Sequence, residues 1–96
     1  MTENNKREIP LINIGGTSIL VKSEVLGVFD LDTASTKTDT KRYLAKNEKD
    51  GRVITVGNDL PKSFVVVASG RKELVYITTL AASSIEGRWR RQSKHL

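Results

Sequence analysis

Apolar and polar positions along this chain fall into short blocks, and the period of each block predicts an element. Leu11-Ile12-Asn13-Ile14 and Ile19-Leu20-Val21 are apolar, β-branched runs separated by Gly15-Gly16, the pattern of two strands joined by a tight turn. Val25-Leu26-Gly27-Val28-Phe29-Asp30-Leu31 is too short and too continuously apolar for a surface helix, and predicts a buried third strand. The period then changes. From Thr36 to Lys49 there is no Gly or Pro, and Thr40, Tyr43, Leu44 and Asn47 recur at helical spacing. Thr33, Ser35 and Thr36 offer capping oxygens at the start of this helix, and Asp50-Gly51 ends it.

Strand chemistry returns in Arg52-Val53-Ile54-Thr55-Val56 and stops at the breakers Gly57 to Pro61. Ser63-Phe64-Val65-Val66-Val67 and Glu73-Leu74-Val75-Tyr76-Ile77-Thr78 then flank Ala68 to Lys72, a hairpin with a polar, basic tip. Leu80 to Glu86 predicts a short closing helix, capped by Ser83 or begun after Thr79. The expectation is an α+β domain: compact and β-rich, with about six short strands, one main helix and a short C-terminal helix.

At 96 residues there is room for one domain, small enough that association with its own copies would bury useful apolar area. Charge adds a second feature. The net +5 is unevenly spread: residues 11–87 carry +1, residues 1–10 cancel, and residues 88–96 carry +4. Three segments follow: a polar N-terminal segment 1–10, a folded part 11–88, and a basic C-terminal tail 89–96. The chain has no cysteine, so disulfides and thiolate chemistry are excluded. The polar start and the absence of a long apolar run predict a cytoplasmic protein that is neither exported nor membrane-bound.

Catalytic groups are scarce. His95, the single histidine, lies next to the last residue, where little can hold it as a base or ligand. Asp30 and Asp32 have the spacing to share a cation on a strand, but a strand end followed by Thr33-Ala34-Ser35 suits turn and capping chemistry better. Gly15-Gly16-Thr17-Ser18 lacks the spacing and lysine of a phosphate loop. The reading is a binding protein, not an enzyme, with no metal, cofactor or small-molecule substrate.

The candidate binding residues are cations: Arg71 and Lys72 at the hairpin tip, Lys62 before it, and Arg88, Arg90 and Arg91 beyond the last element. Such side chains neutralise phosphates without reading base sequence. One subunit offers few of them, so repetition by oligomerisation would multiply their effect. Phe64 and Tyr76 fall inside strands and suit the core. Trp89, among arginines, suits a base-stacking, core-covering or interface role.

Several stretches together resemble the bacterial extracellular matrix regulatory proteins RemA and RemB, and the RemB branch more than the RemA branch. They are Leu11 to Gly16, Val28 to Ser35, Asp59 to Val66, and Val75-Tyr76-Ile77 leading to Ser83-Ser84 and Arg88. The resemblance covers roughly residues 11–88. It implies a LytTR-like fold that assembles into a homo-oligomeric ring, binds double-stranded DNA against cations repeated around that ring, and regulates biofilm matrix genes. Arginines of the RemA branch fall here on Leu60, Pro61 and Glu24, none of which is cationic. The alternative is therefore a protein-interaction module that docks onto another regulator without DNA. Single-stranded RNA binding centred on Trp89 is a third reading. Ile85-Glu86-Gly87-Arg88 also spells a protease recognition sequence, but its continuity with Ser83-Ser84 and the basic residues suits a native segment.

Overall fold

A run such as Phe64-Val65-Val66-Val67 exposes apolar groups on both faces of a strand and needs cover on both. The fold is built around that strand. A computed structural model describes residues 9–34 and 37–92. Among them are six strands in two sheets and three α-helices: β1 (Leu11–Gly15), β2 (Ser18–Val21), β3 (Val25–Asp30), α1 (Leu31–Ala34), α2 (Thr38–Lys49), β4 (Val53–Val56), β5 (Ser63–Ser69), β6 (Lys72–Thr78) and α3 (Ala82–Gln92). A 3-10 turn, Lys22–Glu24, joins β2 to β3. No helix among the described residues is long and apolar enough to cross a membrane.

The larger sheet has the order β3-β5-β6-β4, with antiparallel pairs except for the parallel β4–β6 edge. On one face, Val65 and Val67 pack with Ile12, Ile14 and Leu20 of the β1–β2 hairpin, with Val56, and with Ile85 of α3. On the other, Phe64, Val66 and Val75 pack against Leu31 and Ala34 of α1 and Tyr43 and Leu44 of α2. Each fully buried aliphatic side chain contributes about 1.5–3 kcal/mol. Buried hydroxyls stitch the layers together: Thr78 Oγ1 donates to Ile14 O at 2.6 Å, and Ser63 Oγ donates to Leu80 O at 2.7 Å.

The α+β expectation and both hairpins stand. Asp30 Oδ1 accepts the amides of Asp32 (2.8 Å) and Thr33 (3.3 Å), which is the capping role expected of it. Gly51, at φ +74°, takes the left-handed conformation that closes α2. Four expectations are corrected. The third strand is not buried: β3 is an edge strand, with Leu26 58% and Phe29 43% exposed, and Leu31 has passed into α1. The main helix starts at Thr38 behind an N-cap Lys37 that makes no side-chain cap, while Ser35 and Thr36 lie outside the described residues. The second hairpin turns on two residues, Gly70-Arg71, with the strands extended to pair Ser69 with Lys72.

The closing helix is longer than expected and takes in Trp89, Arg90 and Arg91, so the residues read as a tail begin as helix. Tertiary anchors outweigh the roughly 1 kcal/mol that Gly87 costs in its middle. Ile85 is 1% exposed, and Arg88 Nη1 donates to Asn13 Oδ1 at 2.8 Å and to Asn13 O at 3.3 Å. The protease-like tetrapeptide thus lies within α3, with Ile85 in the core and Arg88 bonded to β1.

Candidate nucleic-acid interface

The strand registers define two ends of the larger sheet. Val25 opposite Val67, the start of β4 at Val53, and the Gly70-Arg71 turn share one end; Asp30, Val56, Ser63 and Thr78 share the other. At the turn end the last turns of α2 approach the hairpin tip. The amide of Arg52 donates to Asn47 O (2.8 Å), and the amide of Val75 donates to Arg52 O (2.9 Å), so the backbone at Arg52 is clamped between α2 and β6. Asn47 is buried and donates through Nδ2 to Tyr43 O at 2.8 Å, which holds that turn of the helix.

These constraints form a cleft of about 240 Å³ lined by four cations (Lys46, Arg52, Arg71 and Lys72), the carboxylate of Glu73, and the side chains of Tyr43 and Asn47. Tyr43 donates its hydroxyl to Glu73 Oε1 at 2.5 Å. Its pKa is pushed up to about 12 by burial first, then by that hydrogen bond and the Glu73 charge. The phenol therefore stays protonated and holds the carboxylate at one wall. A concave surface with four cations and one such acid attracts anions, and phosphate in particular matches arginine's fork.

Two of the residues singled out in the sequence, Arg71 and Lys72, lie in this cleft. Lys62 does not. It precedes β5 at the opposite end, its amide donating to Thr78 O at 2.9 Å, and β5 separates it from the turn by roughly 20 Å. Arg88 is committed to Asn13 on β1. Arg90 and Arg91 occupy the last turn of α3, and both are exposed. The residue before them, Trp89, is held by Lys22, a buried lysine whose Nζ donates to Trp89 O at 2.5 Å and sits 4.6 Å from the Trp89 ring centroid. Trp89 is thus packed against the domain.

Glu24 lies in the 3-10 turn beside Val25, at the turn end, whereas Leu60 and Pro61 are exposed near Lys62 at the other. His95 and Lys94 lie outside the described residues. Lys46 and Arg52 were missed by sequence reasoning. Lys46 reads as ordinary helix surface and Arg52 as a strand start, and the available signal was the adjacency of both to the Asn47-to-Gly51 helix end. A comparison of the chain with protein-family models finds no match, and one with curated proteins finds none either.

Proposed function

We propose that this chain is a DNA-binding transcriptional regulator of extracellular matrix genes, working in the cytoplasm without catalysis as a LytTR-like homo-oligomeric ring that holds duplex DNA by its phosphates. The observation that carries the reading is the cleft of Lys46, Arg52, Arg71 and Lys72, a local concentration of positive charge on a body whose residues 11–87 sum to only +1 with these four included. The ring and the regulated genes rest on the resemblance to RemA and RemB. Four cations per subunit bind a polyanion weakly, and copies arranged around a circle multiply the phosphates neutralised along one duplex. With no zinc-finger or basic-zipper pattern in the sequence, preference among DNA sites comes from shape and deformability.

The test is a fluorescence-anisotropy titration of duplex DNA at several salt concentrations. Replacing Lys46, Arg52, Arg71 and Lys72 with Ala is expected to weaken binding alike on unrelated sequences. The slope of log affinity against log salt should flatten by ~0.9 for each phosphate that the variant no longer neutralises. An affinity and slope equal to wild type would remove the cleft from the function. The second reading, a docking module that leaves DNA alone, is favoured by the uncharged Leu60 and Pro61 and the acidic Glu24. Assembly without salt-sensitive DNA retention would support it.

A further inference from the structure

The edge of the larger sheet carries a different chemistry. β3 pairs only with β5 among the described strands, so its other edge presents unpaired backbone donors and acceptors. Natural edge strands are blunted by lysine, proline or a bulge; the sequence of β3, VLGVFD, has neither of the first two, and its one register shift, between Val25 and Gly27, leaves Gly27 to Asp30 in regular pairing. It instead exposes Leu26 and Phe29.

Beside this edge runs a groove of about 350 Å³ between β3 and α2. Its floor includes Phe29 and Phe64, whose rings stack with centroids 5.0 Å apart and planes 18° apart. Gly27 makes this arrangement fit: a Cβ there would stand 2.7 Å from Phe29 Cε1 and 2.8 Å from Cζ, so the ring lies back over a residue with no side chain. The rim carries Asp39 and Glu73, and no lysine or arginine is among the described residues that line the groove. Aromatic faces beside two carboxylates are complementary to a cation with a flat, weakly hydrated head, the chemistry of a guanidinium. On the other side of β3, Val25, Val28, Ile85 and Trp89 line a second cleft of about 340 Å³.

An added strand would send alternate side chains into these two clefts, because side chains of a strand alternate between faces. We propose that β3 accepts an extended, arginine-bearing segment of a partner protein as an added strand, with the guanidinium seated over Phe29 between Asp39 and Glu73 and apolar side chains entering the cleft beneath α3. The groove shares Tyr43 and Glu73 with the basic cleft but none of its four cations, and Asp39, Phe29 and the strand edge belong to it alone. A net charge of +5 on the chain repels a basic peptide at long range, so its capture has to come from this local acidic and aromatic site.

The probe is a capped synthetic peptide of about six residues, a usual strand length, alternating arginine and valine. Its control carries citrulline, the neutral isostere, for arginine. The full chain is expected to bind the arginine peptide about tenfold or more tightly than the citrulline one. The β3 amides facing away from β5 should become protected from hydrogen exchange. Asp39→Asn, an exposed position outside the basic cleft, should abolish the preference, and Gly27→Ala should weaken binding by displacing the Phe29 ring; amide spectra of both variants report that the fold is kept. Equal affinity for the two peptides would overturn the proposal, as would protection confined to the basic cleft. So would self-association of the chain that the same two substitutions abolish, since the occupant would then be a second copy.

Discussion

Tyr43 stands at the wall between the two grooves, with its phenol donated to Glu73. Its pKa in the folded chain, about 12, lies above the ordinary 10, so folding favours the protonated phenol. The stability this contributes is fully present below pH 10 and is lost as pH rises through about 12. Urea midpoints should therefore fall more steeply across that window for the wild type than for Tyr43→Phe. Parallel curves would show that folding does not raise the pKa of the Tyr43 phenol. Tyr43 was legible in the sequence as part of a helical stripe. Its partner was not, because Glu73 lies 30 residues away and meets it only once α2 is laid on the sheet.

At the scale of elements, α3 shows how packing overrides a local breaker. Ile85, Arg88 and Trp89 lie on neighbouring turns and each finds a tertiary partner, so the helix continues through Gly87 to Gln92. Ile85→Ala should destabilise the domain by about 2–5 kcal/mol in chemical denaturation, the cost of an unfilled buried site. A change within experimental error would mean that α3 is not part of the core. The third strand teaches the converse. Its composition marked it as a strand, but whether it lies at the centre or the edge depends on strand order, which no local pattern encodes.

Over the whole molecule, charge is arranged by the ends of the sheet and not by position in the chain. Lys46 and Arg52 join Arg71 and Lys72 because α2 ends where the β5–β6 hairpin turns, while Lys62, closer to the hairpin in sequence, is carried to the far end by the length of β5. Half of the basic cleft was therefore hidden from the sequence. On the proposed assembly, light scattering should give a mass of several 10.6 kDa subunits. A single-subunit mass at working concentrations would leave four cations without the repetition that DNA binding needs.

Alternating and helical periods, the glycine-rich turns and the capping aspartate determined the identity and order of the elements, because those signals act over a few residues. Which strand lies at the edge, which cations converge, and which aromatic ring stays uncovered were decided by tertiary structure. Each depends on the pairing of segments distant along the chain, which can meet only after the loops between them have closed.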